Sequence, residues 1–458
     1  MRLKLLTVAL ALAACPMLVQ AEDLLDAYRQ ARANDPVLSQ ADSTRLATGE
    51  TVVQSRALLL PQVNGTASIS QTQVSGSTPV ATQNPDGSTT ILSPDTGHSR
   101  NRSIGINASQ TVFDFSKIAN LQAAHSQLSA QDATYEAALQ ALATRVTTAY
   151  FTVLTSDDAL TFAKANEQAL SRQLEQAQQR FDVGLSAITD VQDAKAQHDT
   201  SVAQVITAQN TLADAREALT QITGAPADNL KKLREDLPMD PPSPNDAKAW
   251  VDTAVQTSPT IAAAQFTVQS AEHSITAARS GHLPTLEASA SYGKNTTWLQ
   301  NRVPGANLDT GGTGNGRGQT TVGLTLNVPI FSGGATQSLV RQSIYQRDSA
   351  QDSLEATRRS VVRSTLNFFR SVVAGISEVE ATKAAVISAQ SARDATQAGF
   401  EVGTRTIVDV LIAQQNLTQA QSNYSLARHQ FILNKLLLKQ TAGNIDVKDL
   451  EAANSLLQ

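Results

Sequence analysis

The sequence predicts a mainly α-helical protein carrying a minor set of two-faced β-strands, built from one architectural unit used twice. Three observations predict it. The segment Val183-Gly184-Leu185-Ser186-Ala187-Ile188-Thr189-Asp190-Val191 returns as Val402-Gly403-Thr404-Arg405-Thr406-Ile407-Val408-Asp409-Val410. Long stretches nearly free of glycine and proline carry apolar residues at coiled-coil spacing, and four short segments alternate strictly between apolar and polar. The repeat has further landmarks at a near-constant offset. Asn34-Asp35-Pro36 recurs as Thr257-Ser258-Pro259, Leu60-Pro61 as Leu283-Pro284, Val112-Phe113-Asp114 as Ile330-Phe331-Ser332, and Ile222-Thr223-Gly224 as Thr441-Ala442-Gly443. Residues 22–240 and 241–458 are read as the first and second repeats.

Residues Met1–Ala21 have the form of an export signal: Arg2 and Lys4, an apolar run from Leu5, and the small-residue site Val19-Gln20-Ala21. Leu12-Ala13-Ala14-Cys15 also fits lipid attachment at a cysteine, so Cys15 is either lipidated or lost with the leader. Cys15 is the single cysteine, so disulfides contribute nothing. The leader holds two basic and no acidic residues, and without it the net charge falls from −5 to about −7, which argues against nucleic acid as a partner. No later segment approaches ~18 consecutive apolar residues, so no helix is expected to span a bilayer. Aromatics make up only 4% of the chain, a composition that suits long helices with narrow seams better than a thick globular core.

The first long helix is expected from about Ser116 to Arg180. Tyr135, Leu139, Leu142, Val146, Ala149 and Val153 follow alternating spacings of four and three, the period of a coiled-coil seam. Its counterpart runs from about Ala335 to Ala398, broken only by Gly375, with Val361, Thr365, Phe368 and Val372 in the seam. A helix of about 65 residues is about 100 Å long, a strut rather than a core element. Each strut ends at Gly184 or Gly403, where glycine can cap a helix, and a second long helix follows to Thr223 and Thr441.

Strands are expected at about 62–74, 103–113, 284–293 and 319–331. In them Val63, Gly65, Ala67 and Ile69, then Ile104, Ile106, Ala108 and Val112, then Leu286, Ala288, Ala290 and Tyr292, then Val322, Leu324, Leu326, Val328 and Ile330 form the apolar face. The polar stretches Ser75–Ser99 and Asn295–Gly318 read as loops with little structure of their own. A half-buried soluble sheet is the commoner source of such a pattern. The export signal and the long polar loops favour a membrane barrel. Four strands do not close a barrel and open edges are not viable in lipid, so a membrane reading forces several copies to share one wall.

The two Val-Gly turns in register with the repeat, together with Gly281-His282-Leu283-Pro284-Thr285-Leu286, closely resemble the TolC family of Gram-negative outer-membrane exit ducts, over about Glu22 to Leu450. The resemblance implies a homotrimeric channel-tunnel of mainly α structure with membrane β. Each protomer would give four strands to a shared twelve-stranded outer-membrane β-barrel and long coiled-coil helices to a periplasmic α-barrel, with an equatorial mixed region. It implies work beside a periplasmic adaptor and an inner-membrane pump of the RND, ABC or MFS type, contact with outer-membrane lipid, and no cofactor. The duct would serve tripartite efflux, type I secretion or both.

The resemblance also implies an iris at the periplasmic helix ends. Carried over by position, Arg405 links to Thr189 and Asp190. Phe400 stands where the family's reference member has tyrosine, so one hydroxyl link of the closed state is missing. Asp409 is the first of two constriction carboxylates, and Ile412 replaces the second. A trimer would present three carboxylates at this level rather than six, with weaker cation selectivity. Gly184, Leu185, Ser186, Gly403 and Thr404 are the adaptor docking points the resemblance implies, whereas the residues by themselves favour reading both glycines as helix caps only. The six histidines lack metal-ligand spacing, and no nucleophile elbow or phosphate loop is present, so neither catalysis nor a metal site is expected. A trimeric coiled-coil surface protein without a lumen is the alternative; its stalk would be continuous, whereas strands and struts here interleave twice.

Overall fold

The computed structural model describes residues 22–75, 80–92, 96–302, 316 and 318–458. The leader expected at Met1–Ala21, with Cys15, lies outside the described residues. The elements run α1 (Leu24–Asn34), α2 (Pro36–Ala57), β1 (Gln62–Ser75), β2 (Val80–Gln83), β3 (Thr89–Leu92), β4 (Thr96–Phe113), α3 (Phe115–Asp182), α4 (Ile188–Thr223), α5 (Ala247–Thr257), α6 (Pro259–Ser280), β5 (Thr285–Arg302), β6 (Gly318–Asn327), α7 (Ala335–Glu401), α8 (Ile407–Thr441) and α9 (Val447–Asn454). Two compact units emerge. One takes in the chain up to Arg45 with Ala130–Gln265 and Ser353–Gln458; the other is Leu46–Ser129 with Phe266–Asp352. Each draws on both sequence repeats, because the long helices continue from one unit into the other.

In the first unit the seam residues form the core. Leu142, Val146 and Val153 of α3 and Thr365 and Val372 of α7 are buried, and Tyr135, Leu139, Ala149, Val361 and Phe368 pack against them. Thr365 is tolerated there because its hydroxyl donates to the Val361 carbonyl one turn back, at 2.9 Å. A Cβ on Gly375 would lie 3.2 Å from the Phe431 ring, so the one gap in the second strut admits an aromatic side chain of α8. Of the paired X-Pro landmarks, Asp35-Pro36 and Ser258-Pro259 start helices, and Leu60-Pro61 and Leu283-Pro284 lead into strands. Proline suits the first helical position, and the buried Asp35 accepts from the Leu38 amide at 2.8 Å and from Arg145 at 2.5 Å. A small mixed patch ties distant chain segments together: Glu22 bridges to Leu230, and Leu233 to Leu457. The buried Tyr150 places its hydroxyl 2.9 Å from the Lys231 carbonyl.

The second unit holds a four-stranded sheet in the order β1-β4-β5-β6, antiparallel throughout. The register sets Ala67 opposite Ile104, Ile106 opposite Tyr292, and Ala288 opposite Leu324. The expected apolar residues from Val63 to Ile69, from Ile104 to Ala108, from Leu286 to Tyr292 and from Val322 to Leu326 therefore share one face, since paired residues point the same way, whereas Val112 falls in a β-bulge and Val328 and Ile330 lie beyond the end of β6. That face is uncovered within the chain; Ile69 is 83% exposed and Val322 77%.

Three expectations need correction. Two strands run well past their expected bounds: β4 and β5 each have 18 residues, because the backbone ladder continues where the apolar alternation stops, whereas β1 has 14 and β6 has 10. The stretch Ser75–Ser99 is not devoid of local structure. β2 and β3 pair as a hairpin, and Gly87 at φ +82° follows Asn84-Pro85-Asp86 in its turn; residues 76–79 and 93–95 lie outside the described residues, as do 303–315 and 317 of the second loop. The fourth strand ends at Asn327 rather than Phe331, since Pro329 has no amide to donate to a ladder.

Candidate functional site

The residues singled out in the sequence gather at two helix turns, both in the first unit. Each strut ends in a Schellman motif, in which the residue after the C-terminal glycine bonds back across the last turn. At the first turn the Gly184 amide donates to Phe181 at 2.8 Å and Leu185 to Arg180 at 2.7 Å. At the second, Gly403 donates to Phe400 at 3.1 Å and Thr404 to Gly399 at 2.8 Å. Gly184 and Gly403 have φ of +75° and +79°, a left-handed conformation that costs a side-chain-bearing residue about 1–2 kcal/mol. Among the described residues, and apart from the immediate chain neighbours, no atom lies within 4 Å of where either Cβ would be, so both turns are open to another molecule.

The helices that follow begin differently. Thr406 caps α8 in a reciprocal box: the Asp409 amide donates to the Thr406 hydroxyl at 3.3 Å, and the Asp409 carboxylate accepts from the Thr406 amide at 3.0 Å. Ala187 precedes α4 and has no side-chain cap bond. The Thr406 amide, then its hydroxyl, and then the nearby Arg405 charge hold the Asp409 carboxyl below the ordinary carboxylate range. Asp409 is therefore an accessible anion already engaged in fixing its helix. Ile412, one turn on, is 51% exposed.

Phe400 packs against Leu170, Ile407 and Leu411. The guanidinium of Arg180, from the end of α3, sits 4.7 Å from the centroid of its ring. A cation over an aromatic face is attracted by the ring quadrupole, so the position that lacks a hydroxyl is still tied to the neighbouring strut. Above this contact Gln173 donates to Gln397 at 2.9 Å, and Thr418 to Asn166 at 3.2 Å. The Arg405 side chain runs beside Gly399, where an added Cβ would come within 2.8 Å of its Cγ. Within one chain, and among the described residues, no hydrogen bond or ion pair joins Arg405 to Thr189 or Asp190; Thr189 is exposed.

Sequence reasoning missed Arg180 and Thr406. Thr406 had a signal, since Thr-x-x-Asp is a capping-box pattern. Arg180 had none, because its partner lies in the other repeat. Among the described residues no group of three or more histidine, cysteine, aspartate or glutamate side chains is placed to hold a metal, and no helix is long and apolar enough to cross a membrane.

Comparison with known proteins places these features. The family model described as outer membrane efflux protein matches residues 27–225 and 250–444. The chain is 36% identical to outer membrane protein TolC of Escherichia coli K12, over 98% of this chain and 88% of that one. It is 27% identical to the alkaline protease secretion protein AprF of Pseudomonas aeruginosa, over 94% and 87%. The crystal structure of the Campylobacter jejuni CmeC outer membrane channel superposes with a TM-score of 0.76 at 17% identity, covering 95% of this chain and 90% of that one. Twin helix turns, an interleaved repeat and a family match across both halves lead to one conclusion: the chain belongs to the outer membrane efflux protein family.

Proposed function

We propose that this protein is an outer-membrane exit duct, reaching into the periplasm, that passes material supplied by an inner-membrane pump and is held shut at its two helix turns. The observation that carries this reading is the four-stranded sheet, whose apolar face is uncovered and whose edges, β1 and β6, are unpaired among the described residues of the chain. Unpaired edges are not viable in lipid. Three copies joined edge to edge give a closed twelve-stranded wall, and the paired struts of each copy continue it as a helical tube. Kinship with a TolC and with a protease secretion protein supports service in both efflux and type I secretion.

The turns are the working parts. Gly184, Leu185, Ser186, Gly403 and Thr404 form the surface for the periplasmic adaptor, since both glycines leave the backbone approachable. Arg405 reaches Thr189 and Asp190 of a neighbouring coiled coil. An exposed pair of this kind contributes about 1 kcal/mol or less, weak enough for adaptor binding to release it. The Asp409 ring, with Ile412 one turn away, forms the constriction. The protein performs no chemistry, and energy comes from the pump, of RND, ABC or MFS type.

Conductance in a planar bilayer, wild type beside Arg405→Ser, tests the reading. A small resting conductance that rises sharply in the variant is expected. A large, equal conductance in both removes the gate but keeps the duct. No conductance from folded protein in either supports a lumenless surface structure instead.

A further inference from the structure

The basic residues of the sheet whose side chains are described all lie on the wrong face for a water-filled lumen. Among the described side chains of the four paired strands the cations are Arg100, Arg102 and Lys294, and the one acid is Glu287. The register places Ile104 opposite Lys294, Ile69 opposite Arg102, and Gln71 opposite Arg100. All three cations therefore lie on the apolar face, and Glu287, opposite Thr325, lies on the other. They are grouped at one level. Along β4 the apolar face reads Ala108, Ile106, Ile104 and then Arg102 and Arg100; along β5 it reads Ala288, Ala290, Tyr292 and then Lys294. The charges begin where the apolar band stops, at the loop end of the strands and away from the ends that lead into helices.

Lys294 and Arg102 are diagonal neighbours on adjacent strands, about 7–8 Å apart at Cα. Between them lies a shallow depression of 310 Å³ floored by Ile104, Ile106 and Tyr292. All three cations are solvent-exposed, and among the described residues none has an ion-pair partner; Arg100 is steered by a 3.0 Å hydrogen bond from its Nε to Gln71. Cations beside hydrocarbon are costly unless they meet an anion at the interface. A planar guanidinium matches the oxygens of a phosphate in pairs, and an ammonium adds a point charge.

We propose that Arg102 and Lys294, assisted by Arg100, bind the phosphate of an anionic lipid headgroup in the outer leaflet, with the acyl chains against the Ile104–Ile106–Tyr292 surface below. The assignment rests on the outer-membrane placement above. The experiment is native mass spectrometry of the detergent-solubilised full chain titrated with lipid A, a doubly phosphorylated lipid, and with zwitterionic phosphatidylcholine. Wild type is expected to retain lipid A selectively, and the Arg102→Gln/Lys294→Gln double variant to bind it about thirtyfold more weakly. The charge-keeping Arg102→Lys/Lys294→Arg variant is expected to stay within a few-fold of wild type, and it keeps the test valid if the neutral variant fails to fold. Equal binding by wild type and neutral variant overturns the proposal, as does weak binding by the charge-keeping variant. Displacement of lipid A by millimolar inorganic phosphate also overturns it, in favour of a free-phosphate site. A protein that conducts in a bilayer yet shows no lipid A preference sinks this inference alone; one that neither conducts nor binds lipid sinks the duct reading with it.

Discussion

The turn at Gly184 and the turn at Gly403 share a backbone design and differ in nearly everything attached to it. Both close a strut with the same pair of hydrogen bonds. Past the turn, Ile188 is 49% exposed, whereas its counterpart Ile407 is 2% exposed and packs on Leu170 and Leu411. α4 starts without a side-chain cap and α8 with a reciprocal one. The contrast persists down the helices. Asn210 of α4 is exposed, and the residue at its place in α8, His429, is buried, stacked on Phe151 and 2.8 Å from the Thr155 hydroxyl. A repeat thus preserved the turn geometry while its second copy became the inner, better-fastened helix of the protomer. Ile188, Val202 and Ile206 of α4 remain uncovered within one chain.

Substitution at the paired isoleucines tests the contrast most severely. Ile407→Ala is expected to destabilise by about 2–4 kcal/mol, the usual cost of emptying a buried aliphatic site, and Ile188→Ala by about 0.5 kcal/mol or less in the monomeric chain. Denaturant unfolding of both variants measures this, and equal losses break the comparison.

Acid is expected to act next most strongly. Burial, opposed by Asp158, pushes His429 down to about 4 from its ordinary 6.5. The unfolded chain therefore binds the extra proton first, so stability is complete above about pH 6.5 and falls as pH drops towards 4, by up to about 3 kcal/mol. The Asp409 cap behaves otherwise: its carboxyl is held low, so its contribution is present above the ordinary carboxylate value and goes only when pH falls through that lower value. Unfolding midpoints from pH 7 to 4, wild type beside His429→Asn, should show a slope that the variant flattens.

Exchanging the caps should make the turns more alike. Thr406→Ala is expected to cost about 1 kcal/mol, and Ala187→Ser to add somewhat less than that, read as faster and slower amide exchange in the first turns of α8 and α4 respectively. The smallest effect belongs to the ring contact. Arg180→Gln should cost about 0.5–1 kcal/mol and raise resting conductance slightly. Phe400→Leu, which also thins the packing on Leu170, Ile407 and Leu411, should cost less once Arg180 is gone than in the wild type, and a double-mutant cycle with no coupling would remove that contact from the gate.

Much of this was legible in the chain. The seam from Tyr135 to Val153 and the alternation from Val63 to Ile69 predicted helix and strand because side-chain period follows backbone geometry. The β2–β3 hairpin was legible too, in Asn84-Pro85-Asp86-Gly87, and was hidden only by the polarity of its surroundings. The site was half legible: the two turns stand out as a repeat, and Asp409 and Arg405 stand within them.

By itself the sequence determined the repeat, the helices and strands, the capping glycines and the two faces of the sheet, for each depends on residues a few positions apart. Only the tertiary structure decided which of two similar helices is buried, that Arg180 covers Phe400, that Gly375 admits Phe431, and that Arg102 and Lys294 meet at one level of the apolar face. Those outcomes join residues far apart in the chain, and local propensity has no term for them. They follow from packing and register, which exist only once the segments have met.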